Sequence, residues 1–136
     1  MTLYRKSIEQ GLYDGIIGHI ERPDDFNFII RSKTPAVLKS IYSHMDGEIL
    51  TCDNTAIGNY AADLFLEKEI KNFAYFGSKK LYFSNERLQA FSDRLSPHTP
   101  HAFSTGINIT RIGTEKIADW LRSLPKPIGI FACNDD

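Results

Sequence analysis

The chain has 136 residues, 42% hydrophobic and 12% aromatic, a size and composition that suit one globular domain or a piece of a larger one and argue against disorder. Lysine and arginine total 16 against 17 for aspartate and glutamate, a formal charge of -1, and the basic residues are scattered, with Lys79-Lys80 the densest group. No clustered basic face is therefore available for phosphates or for a membrane surface, and no apolar run is long enough to span a bilayer.

The N-terminal residues Met1 to Ser7 carry no signal-peptide apolar core, so a cytoplasmic chain is expected. Ile8 and Leu12 suit the last turns of a helix, and Asp14-Gly15 then turns the chain into a short apolar strand, Ile16-Ile17-Gly18-His19-Ile20. Pro23-Asp24-Asp25 starts a helix ending near Ser32, because proline and acidic side chains are favoured in a first turn. Pro35 to Leu38 gives a second strand. Asp53 caps a long helix with Ile57, Ala61, Leu64 and Phe65 on one face.

Phe73 to Gly77 reads as a compact strand ending in a turn, and Ser84 to Leu95 as a helix with Leu88, Phe91 and Leu95 inward. A weak strand is expected near His101 to Ser104, within the Pro/His/Ser-rich stretch 96–105. The helix from about Thr110 to Ser123 carries Ile117, Trp120, Leu121 and Leu124 at helical spacing, and Pro125 and Pro127 stop it. Ile128 to Cys133 is the most strand-like segment. Both cysteines, Cys52 and Cys133, sit in apolar company without metal or redox spacing, so buried or half-buried thiols are expected.

Strands separated by helices of this length require right-handed crossovers, which makes the fold class α/β: a parallel β-sheet with flanking helices. Ligands in such sheets bind beyond the carboxyl ends of the strands. Those ends carry His19-Ile20-Glu21, Asp53-Asn54, Gly77-Ser78 and Asn134-Asp135. Arg87 follows Tyr82, Phe83 and Ser84 in the first turn of a helix, where a guanidinium beside an aromatic ring suits a sugar: hydroxyls take its donors and the ring packs on C–H faces. A solvated arginine beside core aromatics is the alternative. Asn134, Asp135, Asp53 and Asn54 suit polyol hydroxyls and equally suit helix N-caps, Asn54 being the better ligand candidate because a cap needs one side chain.

The four histidines lack HxxxH spacing and a carboxylate partner, so no metal or other cofactor is expected. No nucleophile elbow, P-loop or dinucleotide fingerprint occurs, and Ser84 and Ser104 have no evident base. A binding module is expected, not an enzyme.

Asp14-Gly15-Ile16-Ile17, Asp53-Asn54 followed by Gly58, Phe73 to Gly77, Arg87 ahead of Ala90-Phe91, and the strand into Asn134-Asp135 together resemble the effector domain of the lac-repressor and periplasmic-binding-protein-like superfamily. Within it, Ile117 to Pro125 and Gly129-Ile130 look most like the xylose-operon regulators, whose effector domain is joined to an AraC-type DNA-binding domain. The resemblance runs from Ile8 onward, loosely at 40–48 and 96–109. It implies a partial two-lobed fold: residues 1–50 the end of a first lobe, 51–136 the crossover and first half of a second, with both ends cut. It further implies that Arg87 and Asp135 hydrogen-bond a pentose such as xylose. Asn134 lies beside them, Asp53 and Asn54 sit at the crossover, and Tyr82 or Phe83 packs on the sugar ring. Operator DNA would be bound through a domain absent from these residues, and a homodimer is expected. The alternative is the solute-binding protein of a sugar transporter with the same fold.

Overall fold

The structure, a computed structural model, describes residues 3–20, 22–40, 49–105 and 114–134, and divides into two compact units, 1–52 and 53–136. In the first unit, α1 (Leu3–Glu9), β1 (Ile16–Ile20), α2 (Pro23–Ser32), β2 (Ala36–Ser40) and β3 (Ile49–Leu50) follow in order. The three strands form a parallel sheet in the order β1-β2-β3, with Ile16 opposite Ala36 and Leu38 opposite Ile49. The two-residue β3 is too short to leave a pattern in the sequence.

Alternation along β1 assigns its two faces. Ile20 is buried and Ile16 half-buried, on the side that packs with Ile8 of α1, Phe26 and Ile29 of α2, and Leu38 of β2. Ile17, on the other side, is 92% exposed. α2 starts as its sequence requires, with Pro23 in the first turn and Asp24 and Asp25 following. It ends at Lys33, whose φ of 58° places it in the left-handed region that stops a helix. Leu12, expected in the closing turns of α1, lies beyond the helix and is exposed.

Asp25 ties α1 to α2: it accepts from the Tyr4 hydroxyl at 2.7 Å and pairs with Arg5, whose guanidinium also lies 4.9 Å from the Phe28 ring centre. The hydrogen bond from Arg5, then that from Tyr4, holds the Asp25 carboxyl below its ordinary value. A carboxyl with a depressed folded-state pKa stabilises the fold above its unfolded value of 3.8, and that contribution is lost as pH falls through the lower folded value. Asp25→Asn should therefore lower the melting midpoint modestly at pH 7, because the pair is about a quarter exposed. The difference from the parent should shrink as pH falls below 3.8 and through the lowered folded value. Parallel acid-titration melts check this, and a gap that does not narrow on acidification would contradict it.

The second unit runs α3 (Asn54–Glu67), β4 (Phe73–Ser78), α4 (Tyr82–Leu95), β5 (His101–Thr105), α5 (Thr114–Ser123) and β6 (Gly129–Ala132). Its parallel sheet has the order β5-β4-β6, so β4 is central, with Phe76 opposite both Phe103 and Ala132. Burial of Phe73, Ala74 and Tyr75 in succession explains the unbroken apolar run of β4: a strand covered on both faces has no solvent side. Phe73, Tyr75 and Cys133 pack with Ala62 of α3 and with Phe91 and Leu95 of α4. Phe76 and Phe103 stack at 5.7 Å and lie against Trp120 of α5.

Several sequence expectations are corrected. α4 begins at Tyr82, two residues before Ser84, so Arg87 stands in the second turn, where the helix dipole no longer disfavours a cation as it does in the first. α3 buries Asn54, Gly58 and Ala62. Of the expected face, Ala61 and Phe65 pack against the core but Leu64 is exposed. The helix is rotated because its smallest side chains meet α4. Cys52 is exposed, whereas Cys133 is buried. α5 is described from Thr114, and the expected start near Thr110 lies outside the described residues.

Candidate functional site

A connected polar network of the second unit lies where β4 and β6 end. Beyond Ser78 the chain turns into α4, and the buried Ser84 hydroxyl accepts from the Ser78 amide at 2.9 Å. The Tyr75 hydroxyl donates to the Ser84 carbonyl at 2.8 Å and lies 3.1 Å from the Ser84 hydroxyl. Burial pushes the Tyr75 phenol up to about 12, so it remains a protonated donor across the ordinary pH range. This network joins the start of α4 to the carboxyl end of the central strand.

α3 reaches the same place. Asp53 caps it by accepting from the Ala56 amide at 2.8 Å, as its position before the helical pattern predicts. One turn on, Gly58 allows a backbone contact with α4: a Cβ there would sit 2.5 Å from the Arg87 carbonyl oxygen and 2.8 Å from the Ala90 Cβ. That approach places Asn54, which is 4% exposed, against the second turn of α4. Its amide nitrogen donates to the Glu86 carboxylate at 2.8 Å, and its amide oxygen accepts from Arg87 Nε at 3.0 Å. Arg87 Nη1 donates to the Cys133 carbonyl, at the end of β6, and the guanidinium carbon lies 5.1 Å from the centre of the Phe83 ring. Cys133 is itself held to β4 by its amide, which donates to the Phe76 carbonyl at 2.9 Å.

Among the sequence-expected residues, Asn54, Phe83 and Arg87 are thus brought into one cluster, with Asn134 adjoining it through Cys133, whose thiol donates to the Asn134 side-chain oxygen at 2.9 Å. Tyr82 lies edge-on to Phe83 at 5.9 Å. Asp53 is exposed and turned to its own helix as a cap. Asp135 lies outside the described residues. Sequence reasoning missed Glu86, the Cys133 carbonyl and the Tyr75–Ser84–Ser78 network. Glu86 had one signal, its place beside Arg87. A main-chain carbonyl leaves none, since every residue has one.

Chemically, a guanidinium lying over a ring, with two of its nitrogens fixed by an amide oxygen and a main-chain carbonyl, is a rigid donor fork. It suits paired hydroxyls or a carboxylate. β5 and β6 flank β4 on opposite sides, so the connections diverge beside β4, and a crevice beyond the carboxyl ends is where such sheets take ligands. Among the described residues, no group of three or more His, Cys, Asp or Glu side chains could hold a metal ion. No helix among the described residues is long and apolar enough to cross a membrane.

The parallel sheets with their flanking helices define the class, α/β, and the chain shares its fold with parts of solved transcription regulators, one of them titled a periplasmic binding protein/LacI regulator. No family model matches it. In sequence it is similar to the xylose operon regulatory protein of Haemophilus influenzae, 26% identical over 95% of this chain and 37% of that protein. Among solved structures it is similar to a xylose-binding transcription activator, with a TM-score of 0.69 and 22% identity over 88% of this chain and 35% of the other. A periplasmic binding protein/LacI transcriptional regulator from Alkaliphilus metalliredigens, complexed with D-xylulofuranose, gives a TM-score of 0.65 and 16% identity, covering 97% of this chain and 50% of that one. A PurR family transcriptional regulator from Vibrio parahaemolyticus gives 0.60 and 15%, covering 88% and 49%. The chain therefore spans between a third and a half of the proteins it matches.

Proposed function

We propose that the chain is part of the sugar-binding effector domain of a bacterial transcription regulator, and that its ligand is a pentose of the xylose type. The observation that carries this reading is Arg87, fixed over Phe83 at the carboxyl ends of β4 and β6, in a fold shared with two proteins whose descriptions name a five-carbon sugar. In this reading Arg87 and Asp135 bond the sugar's hydroxyls, Asn134 adjoins them, and Tyr82 or Phe83 offers a ring face. Residues 1–50 and 51–136 belong to the first and second lobes of that effector domain. Sugar binding shifts a cytoplasmic homodimer's fit to operator DNA, which is bound through a domain outside these residues. A transporter's solute-binding protein is the second reading, favoured by the dual description of the xylulofuranose-bound neighbour.

The test is a thermal melt of the full chain against a panel of pentoses and hexoses. A sugar that binds only the folded state should add about 2.7 kcal/mol at a hundred times its dissociation constant. One pentose should raise the midpoint, and Asp135→Ala and Arg87→Lys should abolish the rise. Arg87→Lys keeps the charge but loses the planar fork. If no sugar moves the midpoint, the sugar assignment falls. DNA whose affinity changes with the bound sugar separates the regulator from the transporter protein.

A further inference from the structure

We infer that Asn54 is a positioning residue: with Glu86 behind it, it locks the Arg87 guanidinium in the orientation that meets a ligand. The inference deepens the proposed sugar site and rests on that reading for what Arg87 meets, but the lock itself is a property of the ligand-free protein.

Three facts carry it. Asn54 is buried, and both ends of its amide are engaged, the nitrogen by Glu86 Oε2 at 2.8 Å and the oxygen by Arg87 Nε at 3.0 Å. An asparagine amide is nearly symmetric in shape, so only its partners decide which end faces which way. Glu86 accepts and cannot donate when ionised, which forces the nitrogen toward itself and the oxygen toward Arg87. The arginine is then held at a second point, because Nη1 donates to the Cys133 carbonyl, and at a third by the Phe83 ring 5.1 Å below. With Nε and Nη1 fixed, the plane of the fork is fixed, and the edge bearing Nη2 has no other freedom.

The lock also spans the fold. Asn54 opens α3, Glu86 and Arg87 belong to α4, and Cys133 directly follows β6, so the Arg87 side chain reports the relative placement of three elements. A displacement of α3 alone would release Nε while leaving Nη1 engaged. Rigid donors lose little freedom on binding, and that is the advantage of preorganisation over a mobile surface arginine. Asn54 therefore acts through Arg87: its amide oxygen and one amide N–H are taken within the cluster.

The experiment uses the full chain with arginine labelled in ¹⁵N, comparing the parent, Asn54→Val, Asn54→Asp and Asn54→Asp/Glu86→Gln. Hydrogen exchange at Arg87 Nε is read without ligand, and affinity is read with each pentose of the panel. In the parent, Nε–H should exchange slowly. In Asn54→Val that protection should be lost and pentose affinity should fall on the order of tenfold to a hundredfold, as misplaced binding groups do. Asn54→Asp keeps the acceptor for Nε but sets a carboxylate against Glu86. Adding Glu86→Gln restores a donor facing an acceptor, and should recover both protection and affinity. This pair keeps the test decisive if Asn54→Val does not fold. Protection unchanged in Asn54→Val, or a double variant no better than Asn54→Asp in either readout, overturns the lock. If the parent binds no pentose at all, the sugar reading fails and the exchange data alone decide the lock.

Discussion

Phe91→Ala is expected to destabilise the second unit by about 3–5 kcal/mol, the range for deleting a fully buried aromatic ring. Phe91 is fully buried, and its ring meets those of Phe65 at 5.9 Å, Phe131 at 5.3 Å and Tyr75 at 6.4 Å. These come from α3, β6 and β4, so no one element can shift to fill the space without unpacking the other two. The edge-on pairs add to the loss, each worth about 0.5–1.5 kcal/mol beyond its buried area. The single tryptophan, Trp120, lies in α5 of the same unit, 5.0 Å from Phe103. Its fluorescence therefore follows this unit during urea unfolding. A loss of less than about 1 kcal/mol in unfolding free energy would mean that the three rings collapse onto the vacancy and that the cluster is not close-packed.

Gly58→Ala is expected to destabilise the same unit by about 1–3 kcal/mol, the usual cost of overpacking. The sign is the informative part. In the interior of an exposed helix, glycine to alanine gains about 1 kcal/mol, because alanine is the better helix former. At position 58 the new methyl would meet the Arg87 carbonyl oxygen at 2.5 Å and the Phe91 amide nitrogen at 3.0 Å. Both are backbone atoms, so nothing flexible can move aside and the two helices must separate. That separation also draws Asn54 from Arg87, so the substitution should weaken ligand binding from a position that touches no ligand. Equilibrium unfolding followed by Trp120 checks the sign, and a stabilised variant would show that the two helices have room to part.

Most of the element order was legible in one sequence because its signals are local. The turn at Asp14-Gly15, Pro23 with its following acids, the Asp53 cap and the prolines after Ser123 each act within one turn of chain, and each marks an observed boundary to within a few residues. The α/β class followed from alternation alone. The candidate site was partly legible: Arg87 and Phe83 are a helical turn apart, so their contact is built into α4 itself.

What the sequence left open is what depends on residues far apart in the chain. Whether α3 turned Leu64 or Gly58 inward could not be decided from apolar spacing, since the steric match to α4 chose the smaller side chain over the more hydrophobic one. Asn54 reads as a helix cap or a sugar ligand until Glu86, 32 positions away, is seen to hold its nitrogen. The carbonyl that receives Arg87 belongs to Cys133, 46 positions on, and carries no mark in the side-chain alphabet. Local propensity set the elements; the direction of each polar side chain was set by close packing of helix on helix and strand beside strand, which a linear pattern does not encode.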